Sequence, residues 1–294
     1  MKPLISIVIP TYNRARDLER ALRSVLVQTY PYWEALVVDN HSSDNTRDAV
    51  ENFNDARIRL LSIHNNGVIA ASRNLGIRCA QGQYIAFLDS DDWWSPEKVD
   101  ESLKYLEQGA DVVYHDLFLV TKPDQRFFWR KAYTRDLVSP VFNDLIANGN
   151  GLTNSSVVVR KELLNAIGGL LEDRRLISAE DYVAWLKISK LTEKFRRIPK
   201  TLGYYWAGGG NVSNPDRTLI SLGAIEERYA SSFVDSKVWL CYAKGRAYYR
   251  SGRYEMAKKS LEPISWKQSS LLMYVNSYRI LLSICLRHYL KSIF

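Results

Sequence analysis

The chain has 294 residues, of which 46% are hydrophobic and 24% are charged. This composition is typical of globular proteins and excludes the disordered, collagen-like and coiled-coil classes. No apolar run approaches the roughly 18 residues that a membrane span needs, and the N-terminus lacks the apolar core of a signal peptide. The cysteines (Cys79, Cys241 and Cys285) are three in number and scattered, so we expect no disulfides and a reducing, cytoplasmic compartment.

The net charge of +8 is concentrated towards the C-terminus. From Asp216 onwards, 13 Lys and Arg face 6 Asp and Glu, whereas the preceding 215 residues carry 27 and 26. We therefore expect a near-neutral domain over residues 1–215 and a basic region over 216–294. Such a region favours an anionic lipid surface as partner. Nucleic acid is not expected, because no DNA- or RNA-binding signature accompanies the charge.

The N-terminal half alternates between predicted strands and helices. Short β-branched runs predict strands over 5–9, 34–38, 58–63, 84–88 and 112–120, the first of them ending at Pro10. Apolar residues at helical spacing predict intervening helices over 17–28, 44–53, 68–79 and from Pro96 to about 107. Strands joined by crossover helices indicate the α/β class, with a doubly wound, mostly parallel sheet.

Polar residues interrupt this pattern at the carboxyl ends of the strands, where sheets of this class bind ligands. They lie at 11–14, 39–41 and 89–92. The first of these turns contains no glycine, which excludes the dinucleotide fold of dehydrogenases. The carboxylates of Asp89, Asp91 and Asp92 would raise one another's pKa unless a cation shares them, so Mg²⁺ or Mn²⁺ is the expected ligand. The alternative is an acidic loop that only caps the next helix.

The chain resembles family 2 glycosyltransferases with a GT-A fold. The matching segments are 6–14 (SIVIPTYNR), 37–46 (VVDNHSSDNT), 71–76 (ASRNLG), 82–92 (GQYIAFLDSDD) and Glu180-Asp181. The resemblance covers about residues 1–215 and implies a GT-A, Rossmann-like domain. It also implies an inverting, metal-dependent transfer of sugar from a nucleoside-diphosphate sugar, with a UDP-sugar as the expected donor.

The resemblance also implies roles for residues near the nucleotide. Thr11 and Tyr12 match residues that contact the nucleoside, and Asp39 and Asn40 match an Asp-Asp pair that includes the base-binding residue. Asn40 departs from that pair, and its amide can donate as well as accept, which leaves the base open. Arg73 matches a position near the nucleotide, with a surface ion pair as the alternative.

The acidic residues take the remaining roles. By the resemblance, Asp89 and Asp91 match the Asp-x-Asp motif, with Asp89 nearer the ribose and Asp91 on the Mg²⁺ or Mn²⁺. Asp181 matches the general base, and Glu180 supports it or contacts the acceptor. A sugar hydroxyl needs such a base because it is a poor nucleophile until its proton is removed. The alternative for Glu180-Asp181 is that both acids only stabilise the N-terminus of a helix.

Three further segments have both a functional and a structural interpretation. Trp93-Trp94 would stack on sugar rings or fill the core, and residues 154–156 would line the acceptor side or lead into a strand. The glycine-rich segment 208–213 would form a lid over the donor or link two domains, and it lacks the His that many relatives carry there.

The C-terminal third is predicted to be helical. Residues 245–257 (GRAYYRSGRYEMA) resemble the core of one tetratricopeptide hairpin, for which we favour a structural role over peptide binding. Residues 271–294 form either a last core helix or an interfacial helix on an anionic membrane, and we favour the membrane.

The sequence thus predicts a glycosyltransferase whose acceptor is a glycan, lipid-linked, in the synthesis of polysaccharide or O-antigen. It would be cytoplasmic and peripheral on the inner face of the membrane. Two alternatives stay open: a non-catalytic scaffold with a vestigial transferase domain, and a sugar nucleotidyltransferase. The crowded carboxylates argue against the scaffold, and the lack of a Gly-rich phosphate loop argues against the nucleotidyltransferase.

Overall fold

A computed structural model describes residues 2–209, 214–233, 237–265, 269 and 271–293, without the side chains of 288–293. The chain forms two compact units. The first comprises residues 1–141, 150–174 and 180–211, and the second comprises 142–149, 175–179 and 212–294. The sequence predicts one boundary at residue 215. The structure also places the short segments 142–149 and 175–179 in the second unit. Residues 210–213 of the predicted lid lie outside the described residues.

The first unit is built on a sheet of nine strands. They are β1 (Ile5–Thr11), β2 (Trp33–Asp39), β3 (Ile58–Ser62), β4 (Tyr84–Phe87), β5 (Trp93–Trp94), β6 (Val112–Val120), β7 (Lys131–Ala132), β8 (Val158–Arg160) and β9 (Phe195–Trp206). Their order across the sheet is β3-β2-β1-β4-β8-β6-β9-β5, with β7 paired to β6.

The sheet is mixed rather than mostly parallel. β1, β2, β3 and β4 pair in parallel, as do β6 and β9. β8 lies antiparallel between β4 and β6, and β5 and β7 are also antiparallel to their neighbours. The α/β class is therefore confirmed, whereas parallel pairing is limited to β1–β4 and to the pair β6 and β9. Strand β8 enters the sheet between two strands that precede it in the chain, and it runs antiparallel to both.

Helices connect the strands and form most of the second unit. In chain order they are α1 (Ala15–Leu26), α2 (Thr46–Glu51), α3 (Ile69–Cys79), α4 (Lys98–Glu107), α5 (Val141–Asn148), α6 (Lys161–Ala166), α7 (Glu180–Ile188), α8 (Pro215–Arg228), α9 (Val238–Arg250), α10 (Tyr254–Leu261) and α11 (Leu271–Ile293). The first unit contains α1–α4, α6 and α7.

Strand β1 continues through Pro10 to Thr11, although the sequence predicts that the proline ends it. The carbonyl of Thr11 accepts from Asn40 on the β2 side, and that of Val8 accepts from Leu88 on the β4 side. By strand alternation Pro10 faces the β4 side, where register pairing stops at Val8. Its missing N–H therefore costs no ladder hydrogen bond, and the strand carries Thr11 to the ligand edge of the sheet.

The core of the first unit lies on both sides of β1 and β2, whose residues are all buried. Strands covered by helices on both faces are expected to be apolar throughout, and β1 and β2 largely are. Leu18, Leu22 and Val25 of α1 pack into the same core, at the spacing that predicts this helix. This packing fixes the ends of β1, β2 and β4, which carry the candidate site.

The second unit contains a helical hairpin, α9 and α10, joined by residues 251–253. Gly245 in α9 faces Leu261 in α10, and a Cβ at Gly245 would lie 2.5 Å from the Leu261 Cγ. The small residue thus permits close helix contact, as the sequence predicts. Its likeness to a tetratricopeptide hairpin stays a prediction. Among the described residues, no helix combines the length and apolarity needed to cross a membrane.

Candidate active site

The loops that follow β1 and β2 are tied together at the edge of the sheet. Ser42 donates its hydroxyl and its backbone N–H to the Asp39 carboxylate. The Ser42 Oγ accepts from the backbone N–H of Asn13 at 2.8 Å, and Asn13 Oδ1 accepts from Ser43 N–H at 2.7 Å. Asp39 therefore has its orientation set by the surrounding loop before any ligand binds.

The other predicted nucleoside residues lie beside Asp39. Asn40 donates its backbone N–H to Thr11, and Asn40 Oδ1 accepts from the backbone N–H of Asn65 at 2.8 Å. That contact occupies the amide oxygen, so the amide N–H₂ is the group that Asn40 offers to a ligand. The Thr11 side chain is buried and its Oγ1 has no partner in the described part of the chain, while Tyr12 is 56% exposed.

The acidic loop after β4 places its three carboxylates in different surroundings. The Asp91 Oδ2 atom lies 3.0 Å from the Arg14 guanidinium, just before α1. Asp92 is buried, and its carboxylate accepts from the backbone N–H of Trp206 at 2.8 Å. Burial and the charge of Asp89 raise the pKa of Asp91 to about 6, against the effect of Arg14. Burial also raises the pKa of Asp92 well above its usual value, with the charges of Asp91 and Asp89 adding to it. Negative charge is thus crowded here, as the sequence predicts.

Arg73 joins the acidic loop to α7. Its guanidinium, 4% exposed, lies 2.7 Å from Asp89 and also binds Glu180. The expected alternative of a surface ion pair is therefore wrong, because both contacts are made inside the site. Asn154 Nδ2 lies 3.4 Å from the same Asp89 carboxylate. The backbone N–H of Asp89 donates to the Ser155 hydroxyl. Through Arg73, the acidic loop after β4 and the N-terminus of α7, which the sequence predicts to be parts of the site, lie close together.

Asp181, the predicted base, lies in the first turn of α7, directly after Glu180. Its Oδ1 accepts from the Tyr182 N–H at 2.7 Å, and its Oδ2 accepts from Asn150 Nδ2 at 3.2 Å. Burial and the charge of Glu180 raise the pKa of Asp181 to about 7, although Arg73 opposes the rise. A carboxylate with this pKa is poised to take up a proton near neutral pH.

The two tryptophans divide between core and site. Trp94 is buried, and its Nε1 donates to the Ser155 carbonyl at 2.7 Å. Trp93 stacks on Tyr204 with ring centroids 5.0 Å apart, and the Arg20 guanidinium lies 4.2 Å from the Trp93 ring. The core interpretation is correct for Trp94, whereas Trp93 links the acidic loop to β9.

Sequence reasoning missed Arg14 and Asn150 as site residues. Arg14 had a signal, because a cation directly after the Thr-Tyr-Asn turn lies at the same sheet edge as Asp91. Asn150 had none, because it reaches Asp181 from a loop 31 residues away in the sequence.

Asp89 and Asp91 are the residues that could hold a divalent cation. Within the described residues, no three His, Cys, Asp or Glu side chains are arranged to bind a metal ion. A cation here would therefore take one or two protein carboxylates and draw its other ligands from a bound phosphate and water, which is how Mg²⁺ is usually held. The raised pKa of Asp91 fits this use, because a cation would relieve the crowded negative charge.

Comparison with protein families supports what the geometry indicates. Residues 6–166 match the model described as glycosyl transferase family 2, which is more than half of the chain. The chain belongs to glycosyltransferase family 2. It is therefore a glycosyltransferase, as its sequence motifs predict.

Two relatives of this glycosyltransferase come from bacteria. It is 34% identical over 191 residues to the Escherichia coli UDP-Glc:alpha-D-GlcNAc-diphosphoundecaprenol beta-1,3-glucosyltransferase WfgD, covering 64% of this chain and 70% of the relative. It is 40% identical over 111 residues to the putative teichuronic acid biosynthesis glycosyltransferase TuaG of Bacillus subtilis, covering 37% of this chain and 44% of that one. The name of the first relative refers to a GlcNAc-diphosphoundecaprenol substrate, and the name of the second refers to teichuronic acid biosynthesis.

A solved structure shows the same fold. S. aureus TarS 1-349 in complex with UDP-GlcNAc matches with a TM-score of 0.64 and 18% identity, over 93% of this chain and 79% of that one. At this identity the likeness shows the fold alone. It confirms the predicted GT-A fold for the glycosyltransferase.

Proposed function

We propose that this glycosyltransferase moves a sugar from a UDP-sugar to a hydroxyl of a lipid-linked glycan, with inversion at the anomeric carbon. The observation that carries the proposal is the buried Arg73, which binds Asp89 of the acidic loop and Glu180 of α7. Through it, the residues proposed for the donor and the residue proposed as base belong to one site. The E. coli relative named above uses UDP-Glc and a diphosphoundecaprenol acceptor, which supports both substrate classes.

Four residues at the ends of β1 and β2 would bind the nucleoside: Thr11, Tyr12, Asp39 and Asn40. Ser42 holds the Asp39 carboxylate, and Asn65 leaves the Asn40 amide N–H₂ as a donor. A carbonyl oxygen of the base is the acceptor that such a group needs, and uracil has two. Asn40 is thus compatible with a UDP-sugar although it departs from the family's acidic pair.

Asp91 and Asp89 would hold Mn²⁺ or Mg²⁺ together with the donor diphosphate. When bound, this cation would stabilise the charge of the departing nucleoside diphosphate. Arg73 keeps Asp89 in place, and Arg14 does the same for Asp91. These pairs place fixed positive charge beside the carboxylates before the donor enters.

Asp181 would remove the proton from the acceptor hydroxyl as that oxygen attacks the anomeric carbon. A single carboxylate base on the face opposite the leaving group gives inversion in one displacement. Asn150 orients the Asp181 carboxylate, and Glu180 is held away from the proton transfer by its contact with Arg73. Glu180 is therefore proposed as a support rather than a second base.

The protein would work at the inner face of the cell membrane, where a lipid-linked acceptor is held. The basic region from Asp216 onwards supports electrostatic contact with anionic headgroups. In α11, Leu272, Tyr278, Leu282 and Leu286 are all at least half exposed, which fits the predicted interfacial helix.

Thermal melting with UDP, GDP, CDP or dTDP, each with and without Mn²⁺, tests this function. Binding to the native state alone at a hundred times the dissociation constant adds about 2.7 kcal/mol to stability. We expect UDP to raise the melting temperature, and more so with Mn²⁺. A folded protein that no nucleoside diphosphate stabilises would contradict the proposal and favour the scaffold, while pyrophosphate release from a nucleoside triphosphate would favour the nucleotidyltransferase.

A further inference from the structure

Three aromatic side chains project into solvent from the segment that follows β6. Phe127 is 71% exposed, and Trp129 and Tyr133 are each 74% exposed. They lie in residues 121–135, the aromatic hairpin, which turns back so that β7 pairs with β6. A scattered exposed apolar residue is ordinary, but three large exposed rings between Phe127 and Tyr133 make the aromatic hairpin a candidate docking surface. The nucleotide site does not use them.

The opposite side of the aromatic hairpin is fixed to the first unit. The Phe128 ring lies 5.0 Å from Tyr204 and 5.9 Å from Phe118, centroid to centroid. Gln125 Nε2 donates to the carbonyls of Leu119 and Phe127. Side chains therefore alternate, with Phe128 inward and its two neighbours outward, as in a strand. These contacts fix the backbone that carries the exposed rings. Binding through the rings therefore costs less conformational entropy than binding through a flexible loop would.

Cations are interleaved with the exposed rings. The hairpin carries five Lys and Arg and one acidic residue, Asp124. Lys122, Arg126 and Arg130 are exposed, and none of them forms an ion pair within the described residues. Unpaired cations beside Trp, Tyr and Phe are the combination that favours the interface of an anionic bilayer, since the rings enter the headgroup region and the cations meet lipid phosphates.

We propose that the aromatic hairpin docks this glycosyltransferase on the surface of an anionic lipid bilayer. The positive charge of the aromatic hairpin favours an anionic bilayer over a neutral glycan, which would contact the rings but leave the cations unpaired. The same hairpin is connected to the acidic loop through Tyr204, whose ring meets Phe128 edge to face and stacks on Trp93, the residue after Asp92. Docking here would hold the acidic loop near the membrane. The proposal rests on the proposed function only for the lipid-linked acceptor.

Co-sedimentation with vesicles tests the proposal on the full chain. The probes are vesicles of phosphatidylglycerol with phosphatidylethanolamine, and vesicles of phosphatidylcholine alone. We expect wild type to bind the anionic vesicles preferentially. Two hairpin variants should each bind the anionic vesicles at least about tenfold more weakly than wild type. One is the triple variant Phe127→Ser, Trp129→Ser, Tyr133→Ser, and the other is the double variant Arg126→Gln, Arg130→Gln.

Matched controls change exposed residues of the first unit elsewhere. Val27→Ser, Tyr32→Ser and Leu191→Ser remove three exposed apolar side chains, and Arg23→Gln with Arg47→Gln removes two exposed cations. These variants should bind vesicles like wild type. The UDP-induced melting shift is measured on every variant, so that a failure of nucleotide binding is seen separately from a failure of docking.

Two outcomes would overturn the proposal. One is vesicle binding by the hairpin variants that equals wild type, which would leave docking to the basic region from Asp216 onwards. The other is unchanged vesicle binding with loss of transfer to a detergent-solubilised acceptor, which would make the hairpin a glycan-binding element.

Discussion

At the scale of single residues, Arg73 decides how the site is held together. Its guanidinium is buried between Asp89 and Glu180, and without it the buried Glu180 carboxylate would lose its ion-pair partner. A buried pair that loses one partner is strongly destabilised because an uncompensated charge remains. We expect Arg73→Met to lower the free energy of unfolding by about 3 kcal/mol, measured by urea denaturation.

The control for Arg73 is Arg47, which forms an exposed pair with Glu51 on α2. Arg47→Met should change the stability by less than about 0.5 kcal/mol, because exposed pairs at this spacing contribute little. Equal effects of the two substitutions would show that the Arg73 pair does not organise the site.

The pKa of Asp181 predicts the pH dependence of transfer. Burial and Glu180 raise this pKa to about 7, and a base acts only when it is deprotonated. We therefore expect kcat/KM to rise with pH and level off above about 7. A rate that is flat between pH 5.5 and 8.5, with the donor bound equally at both ends, would contradict the role of Asp181 as base.

The same shift has a sign for stability. The folded pKa of Asp181 lies above its unfolded value of 3.8, so the native state binds the extra proton between these pH values. Stability from this group is therefore present at low pH and is lost as pH rises through 7. The carboxylate that we propose as the base thus lowers the stability of the fold at neutral pH, which is common for functional groups.

The residue scale also shows what sequence could not predict. Asp89, Asp91 and Asp181 could be proposed from sequence, because the first two follow a strand and the third lies in the first turn of a helix, each within a motif that resembles the family's. The contact of Arg73 with Glu180 could not, because 107 residues separate them and no local pattern records which buried cation meets which acid.

At the scale of elements, α4 contains a buried lysine that the proposed reaction does not use. Lys98 is fully buried, its Nζ has no hydrogen-bond partner in the described part, and it lies 3.7 Å from the Trp94 ring centroid. Burial lowers the pKa of Lys98 well below its usual value. We expect Lys98→Met to stabilise the protein at pH 7 by about 1–4 kcal/mol, because a similar apolar side chain avoids this desolvation.

Urea denaturation at two pH values checks the prediction for Lys98. The gain from Lys98→Met should shrink above pH 10.5, where the unfolded lysine is also neutral. A loss of stability at pH 7 would mean that the contact with Trp94 outweighs the cost of burial.

The hairpin of α9 and α10 depends on a close approach at Gly245. A Cβ at this position would lie 2.5 Å from Leu261, whereas one at Gly223 in α8 would meet nothing within 4 Å. We expect Gly245→Ala to destabilise the second unit by about 1–3 kcal/mol. Gly223→Ala should instead stabilise it by about 0.5–1 kcal/mol through helix propensity.

Circular dichroism during thermal unfolding measures both glycine variants. A gain in stability from Gly245→Ala equal to that from Gly223→Ala would contradict the close contact between α9 and α10.

Sequence periodicity predicted most elements of the first unit but not how all of them pair. Strands β1–β4 and β6 and helices α1–α4 have the local patterns that indicate them. Strand β8 has only three residues and pairs antiparallel with β4 and β6. Such pairing is decided by long-range packing, and period-2 or 3.6-residue patterns do not record it.

At the scale of the whole molecule, the chain consists of a glycosyltransferase unit and a basic helical unit. The family and the fold could be recognised from motifs distributed over the first 215 residues, which lie in β1, β2, β4 and the loops after them, in α3 and at the start of α7. The aromatic hairpin could not be assigned from sequence, because Phe128 and its neighbours Phe127 and Trp129 are all aromatic and only the fold separates the inward ring from the exposed ones.

We propose that Asp181 takes the acceptor proton in a site that binds the donor independently. The most direct measurement is transfer from a UDP-sugar to a GlcNAc-diphospho-lipid by wild type and Asp181→Asn, with UDP binding measured on the same preparations. We expect Asp181→Asn to lose transfer by at least about a hundredfold and to bind UDP like wild type. Transfer that persists in Asp181→Asn at the wild-type rate would contradict the claim.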